Sequence, residues 1–237
     1  MSNFYKQILK AKSENKKLLA ILLDPDKINW GTVDMLILKI NQSPATHIFV
    51  GGSIVESNSV DELVIKLKTK INLPIILFPG NPSQISDKAD AILFLSLISG
   101  RNPDYLIAHQ VKAVPILKKT NLEIIPTGYI LIESGAETAV EKVSKTKPLD
   151  RNNPEYILHT AQAGEMLGFK LIYLEAGSGA KEVVPAAIVN LVSTNITIPL
   201  IVGGGIKDFS EIKKMHDSGA DLVVIGTAFE NDLNFFE

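Results

Sequence analysis

Short apolar runs recur along this 237-residue chain, separated by longer stretches in which apolar positions return every three or four residues. Eight runs read as strands: Leu18–Leu23, His47–Val50, Ile75–Phe78, Ala91–Phe94, Glu123–Pro126, Leu171–Glu175, Leu200–Val202 and Leu222–Ile225. They are short, rich in Ile, Leu and Val, and apolar on both faces, as parallel strands covered by helices should be. Between them, Val33, Leu36, Ile37 and Ile40 share one helical stripe, and Ala187, Ile188, Leu191 and Val192 share another. Asp208 has the position of an N-cap, and Gly219, after Lys213, Lys214 and His216, that of a helix stop.

Strands alternating with helices at a mean spacing of about 29 residues predict an α/β chain built of βα repeats. No linker or charge block divides it, so residues 1–237 are expected to form one (β/α)8 TIM barrel domain. A doubly wound open sheet is the rival, but it seldom places three Gly-rich strand ends so late in the chain. Two intervals are irregular. Only 12 residues separate Phe78 from Ala91, among them Pro79, Gly80, Asn81 and Pro82, so the third βα unit is expected to be degenerate. In contrast, 44 residues separate Pro126 from Leu171, enough for an extra helix and a loop around Pro148–Pro154.

Composition narrows the function classes. The 24 basic and 26 acidic residues nearly balance, which argues against a nucleic-acid partner held by phosphate neutralisation. The absence of cysteine excludes disulfides and thiolate chemistry. No run approaches the ~18 apolar residues of a membrane span, and the N-terminus has no secretory pattern, so a cytoplasmic location is expected.

The chemistry of a barrel lies at the carboxyl ends of its strands. After the sixth run come Glu175-Ala176-Gly177-Ser178-Gly179, after the seventh Gly203-Gly204-Gly205, and after the eighth Gly226-Thr227. Glycines let backbone N–H groups approach an anion, and the ends of strands 7 and 8 are the usual phosphate site of this fold. Each turn alone is only a tight turn; three together point to phosphate. Asp24 suits either a hard cation with substrate oxygens or an N-cap before Pro25, and Ser53 offers a hydroxyl on the adjacent strand end. Glu175 ends an apolar strand and suits a general base or a hydroxyl-binding group. Tyr173 and Tyr129 suit phosphate contacts or core positions equally. The four histidines make no triad and read as structural or surface. The remaining mouth positions, Phe78, Pro79, Phe94, Leu95, Leu97, Ile98 and Ile130–Ile132, are apolar, and a reduced third unit could open a groove for an apolar chain there.

These motifs resemble the geranylgeranylglyceryl phosphate synthases and their heptaprenylglyceryl phosphate synthase relatives. The resemblance rests on Leu23-Asp24-Pro25-Asp26-Lys27, Val50-Gly51-Gly52-Ser53, Phe78-Pro79-Gly80-Asn81, Ser99-Gly100-Arg101-Asn102-Pro103, Pro126-Thr127-Gly128-Tyr129, the specific stretch Tyr173–Ala180, Gly203–Ile206 and Gly226-Thr227. It implies transfer of a prenyl group from a polyprenyl diphosphate to the 3-hydroxyl of sn-glycerol 1-phosphate. It further implies Mg²⁺ at Asp24 and Ser53, and Glu175 as catalytic base. Glycerol phosphate would be held by Tyr173, Leu174, Glu175, Ala176, Gly177, Ser178, Gly179, Gly204, Gly205, Gly226 and Thr227, and the prenyl tail by Phe78, Phe94 and Tyr129. A homo-oligomer is implied, with room for transient contact with a membrane surface. Some bacterial members carry lysine two residues before the aspartate; Leu22 stands here, which leans towards the geranylgeranyl branch and leaves the diphosphate one cation short. A sugar-phosphate isomerase or lyase would need a second acid or base opposite Glu175, and a non-catalytic phosphometabolite-binding barrel would not need both Asp24 and Glu175.

Overall fold

The computed structural model describes residues 4–52 and 57–237. Eight parallel strands close into one barrel in sequence order, β1 (Leu18–Leu23), β2 (His47–Val50), β3 (Ile75–Leu77), β4 (Ala91–Leu97), β5 (Glu123–Leu131), β6 (Leu171–Glu175), β7 (Leu200–Gly203) and β8 (Leu222–Ile225). Pairing of Leu18 with Leu222 through Ile21 with Ile225 joins the first strand to the last. The period-two alternation of each strand divides the core in two. Phe49, Ile76, Leu93, Tyr173 and Ile201 fill the interior, while Ile48, Ile75, Ile92, Ile172 and Val202 face the surrounding helices.

Two strands outrun their sequence limits by more than one residue. The apolar run of β4 breaks at Ser96 and that of β5 at Pro126, yet the two strands pair from Ala91–Glu123 through Leu97–Tyr129. Proline lacks only a donor; the Pro126 carbonyl still accepts Lys170 N–H at 2.8 Å. Ser96 is satisfied by the Leu106 carbonyl at 2.6 Å. Tyr129 therefore lies within β5, and this side of the barrel wall stands taller.

Helices α2 (Val33–Gln42) and α3 (Ser57–Lys68) follow the first two strands. Between β3 and β4 there is only a single 3₁₀ turn, Pro82–Gln84, so the third unit is degenerate as expected. A buried glutamine substitutes for the missing packing: Gln84 donates to Gly52 O at 2.9 Å and accepts Gly80 N–H at 3.0 Å, stapling the ends of β2 and β3. Beyond β4 lies α4 (His109–Leu117), and the long interval after β5 holds α5 (Ala139–Ser144) and α6 (Pro154–Met166). The last three helices are α7 (Ala186–Ser193), α8 (Phe209–Asp217) and the short α9 (Thr227–Asn231). Asp208 caps α8 through Glu211 N–H. Among the described residues no helix is long and apolar enough to cross a membrane.

One element has no counterpart in the sequence reading. Helix α1 (Phe4–Ser13) closes the amino-terminal end of the barrel, sending Phe4, Ile8 and Ala11 into the interior cluster. The Glu123 carboxylate at the start of β5 accepts the N–H groups of Phe4 and Tyr5, and Lys12 pairs with Asp221 at 2.9 Å. Ile8 is 1% exposed. Replacement Ile8→Ala is expected to cost about 2–5 kcal/mol in denaturant unfolding, with ligand affinity at the opposite end unchanged.

Candidate functional site

The carboxyl ends of β1, β2 and β6–β8 surround one cavity of about 610 Å³. Glu175 ends β6 with its carboxylate facing this space, only 6% exposed. Burial pushes its pKa up from 4.5 to about 7. One oxygen accepts Gly177 N–H at 2.6 Å, which favours the charged form and limits the rise. The Tyr173 hydroxyl leans towards the same carboxylate and acts in the same direction, short of hydrogen-bond geometry; buried at the cavity wall, it has no partner among the described residues. An orphaned buried hydroxyl facing a cavity is a donor awaiting a ligand. Lys170 lies over the Tyr5 ring and Lys207 donates to Lys181 O, so neither holds Glu175 in a structural ion pair.

Gly177, Ser178, Gly179, Gly204, Gly205, Gly226 and Thr227 all line the cavity beside Tyr173 and Glu175. Leu174 and Ala176 do not: both pack in the shell between strands and helices, because alternate residues of a strand leave on opposite faces. At Gly204, with φ +84°, a Cβ would overlap Glu175 Oε1 and sit 2.5 Å from Gly177 N. The loops after β6 and β7 meet there, so glycine is required both for the left-handed turn and for the close approach.

Asp24 faces the cavity from the end of β1 and takes the capping role there. One carboxylate oxygen accepts Asp26 N–H at 3.2 Å as the cap of a 3₁₀ turn, and the other lies 3.2 Å from Lys27 Nζ. Glu230 of α9 completes the group, accepting Asp24 N–H at 2.9 Å and lying 3.6 Å from Lys27 Nζ. Burial raises the Glu230 pKa, against the pull of Asp24 N–H and Lys27. Burial depresses that of Lys27, but Glu230 and Asp24 outweigh it and leave it raised. Two carboxylates sharing one ammonium leave a negative site, which suits a divalent cation. No cluster of three or more metal-ligating side chains occurs among the described residues. That donor set fits Mg²⁺, which favours one or two carboxylates completed by water and substrate oxygens over a full protein cage. Ser53 lies outside the described residues.

An apolar groove of about 100 Å³ adjoins the cavity and shares Gly52, Phe78, Tyr129 and Val140 with it. It runs between the short β3–β4 connection and α4, where a complete third unit would pack a helix. Phe78, Pro79, Phe94, Leu95 and Leu97 line it as expected, whereas Ile130 and Ile132 belong to the outer shell and Ile98 packs against it. Phe78 stands at the junction, its ring 5.4 Å from Tyr173 and 5.9 Å from Tyr129 between centroids. Of the four histidines, His109 lines the groove, edge-on to Tyr105 at 4.7 Å. His47 is buried beside Thr46, where burial lowers its pKa to about 4.

Glu230 and Gln84 escaped the sequence reading. Glu230 follows Thr227 by three residues, the spacing of a capping box, and that ordinary pattern hides a carboxylate that crosses to another strand end. Gln84 carries no local signal.

A sequence profile of the PcrB family matches residues 8–236. A Flavobacterium johnsoniae protein named geranylgeranylglyceryl phosphate synthase is 68% identical over 237 residues, covering 100% of this chain and 98% of its own. A Zunongwangia profunda protein of the same name is 54% identical over 224 residues, or 94% of this chain and 95% of its own. The crystal structure of (S)-3-O-geranylgeranylglyceryl phosphate synthase from Thermoplasma acidophilum in complex with sn-glycerol-1-phosphate superposes with TM-score 0.92 at 34% identity, covering 100% of this chain and 95% of that one.

If the loops at Gly204 form an anion site, Gly204→Ala should weaken inorganic phosphate binding by about tenfold or more, since both strain and overlap oppose the loop. Titration calorimetry on the variant checks this, with the thermal midpoint as control.

Proposed function

The chain belongs to the PcrB family, and on that premise we propose how its residues divide the work of a geranylgeranylglyceryl phosphate synthase. The enzyme is a prenyltransferase that forms an ether bond to sn-glycerol 1-phosphate. Its donor in this reading is geranylgeranyl diphosphate. The observation that carries the assignment is the buried Glu175 carboxylate in a glycine-lined cavity that an apolar groove adjoins at Phe78 and Tyr129.

The glycerol phosphate anion is held by the loops at Gly177–Gly179, Gly204-Gly205 and Gly226-Thr227, with the Tyr173 hydroxyl as a further donor. This grip presents the 3-hydroxyl to Glu175. The prenyl tail lies in the groove past Phe78, Tyr129 and Phe94, which brings its first carbon beside the hydroxyl and excludes water. Asp24 is the described carboxylate that would hold Mg²⁺, with Ser53 as a further ligand. When bound, Mg²⁺ supplies charge neutralisation of the diphosphate leaving group. The allylic C–O bond breaks with its electron pair leaving on diphosphate, the glycerol oxygen bonds to the prenyl carbon, and its proton passes to Glu175. The same reading includes self-association, supported by the exposed apolar stripe Ile107, Val111 and Val114 along α4 and the turn before it.

The direct test offers labelled sn-glycerol 1-phosphate with prenyl diphosphates of several lengths, with the sn-3 enantiomer and EDTA as controls. A lipid-extractable product made best from the geranylgeranyl donor and abolished by EDTA is expected. Phosphate binding without transfer from any donor would overturn the reading. Asp24→Asn should lose transfer while retaining glycerol phosphate affinity within about threefold, because the phosphate loops are separate. The base needs its ionised form, and a pKa raised to about 7 means that form is lost as pH falls through 7. The rate should therefore fall about tenfold per unit below that point. Glu175→Gln should remove that dependence along with most of the activity.

A further inference from the structure

Glu230 sits where an acid is unwelcome. It lines the same cavity as the phosphate loops, three residues beyond Thr227, and a carboxylate there opposes every anionic substrate. Its contacts give it a purpose. Oε1 accepts the Asp24 N–H and Oε2 faces Lys27 Nζ, while Lys27 also reaches Asp24 Oδ2. A single side chain from the last helix thus ties down the loop after the first strand. Lys27 is a half-exposed ammonium at this edge of the cavity, 49% exposed. Leu22, on the same wall, offers no charge, and the other cavity lysine, Lys207, is tied to the Lys181 carbonyl.

Resting on the reading above, we infer that Lys27 contacts the diphosphate of the prenyl donor, and that Glu230 is the positioning residue that holds Lys27 and the Asp24 loop at the mouth. A lysine stem is long and flexible, and its ammonium acts as a mobile point charge. With the site empty it is shared by two carboxylates. With the donor bound and a cation on Asp24, the cation offsets the Asp24 charge that held the ammonium, and its hydrogen bonds pass to diphosphate oxygens, which are charged acceptors in their turn. Glu230 stays as the fixed post from which the ammonium swings.

Lys27→Met keeps the stem and removes the charge; Lys27→Arg keeps the charge. Mg²⁺-dependent binding of inorganic pyrophosphate is measured by calorimetry, and KM for each substrate is measured separately. Lys27→Met should weaken pyrophosphate and raise KM for the prenyl diphosphate by about tenfold, the worth of one charge-assisted hydrogen bond. KM for sn-glycerol 1-phosphate should stay within about twofold, and Lys27→Arg should recover most of the loss. Glu230→Gln keeps an oxygen for Asp24 N–H but loses the charge anchoring Lys27, so it should shift the same two quantities in the same direction by a smaller factor. Equal rises in both KM values, or pyrophosphate affinity unchanged in Lys27→Met, would overturn the inference and leave Lys27 as a loop staple. A wild-type protein that transfers no prenyl group would instead overturn the reaction, and the pyrophosphate measurement would still decide whether Lys27 meets diphosphate.

Discussion

Closing eight parallel strands into one sheet removes both of its edges and commits alternate side chains to a filled interior. In this chain the interior is closed at one end by α1 and filled along its length by Phe49, Ile76, Leu93, Tyr173 and Ile201. Chemistry is thereby confined to the other end, where strands stop and backbone groups are free of the ladder. The cavity, the glycine loops and the Asp24–Lys27–Glu230 cluster all lie on that rim because the fold leaves nowhere else for them.

Departures from regularity on the rim divide the site. A complete third unit would bury the outer face of β3 and β4 under a helix. Here a 3₁₀ turn and three hydrogen-bonding contacts of one glutamine, to Gly52 and Gly80, take its place. The longer β4 and β5 then stand as one wall of a groove, with α4 as the other. The same shortage of packing that would weaken an ordinary barrel provides room for a long apolar ligand beside a polar cavity. Phe78, Tyr129 and Tyr173 form the partition, and Glu175 stands behind it.

Much of this was legible in the sequence because it depends on local pattern. The bounds of β1, β2, β6 and β8 coincide with apolar runs, and the glycine loops follow strand ends directly. Where residues contradict their local appearance, the reading stopped short. Ser96, Pro126 and Gly128 look like strand breakers but are carried by a neighbouring strand. Leu174 and Ala176 sit inside a contiguous motif yet face away from the cavity, a distinction that the two-residue period of β6 already contains. The spacing of Phe4, Ile8 and Ala11 is equally readable as a helical face. Glu230 and Gln84 were not readable, because their meaning lies in partners 206 and 32 residues away.

The pairing of Leu18 with Leu222 also bears on how the protein comes into being. The first strand has no partner on one side until the last has been made, and Asp24 has no Glu230. The barrel therefore cannot close until β8 has been made. The contacts that finish the site are the most distant in sequence and the slowest class to form. Phe229 of α9 packs against Phe236 at 5.8 Å, so the support of that helix also waits on residues beyond the last strand.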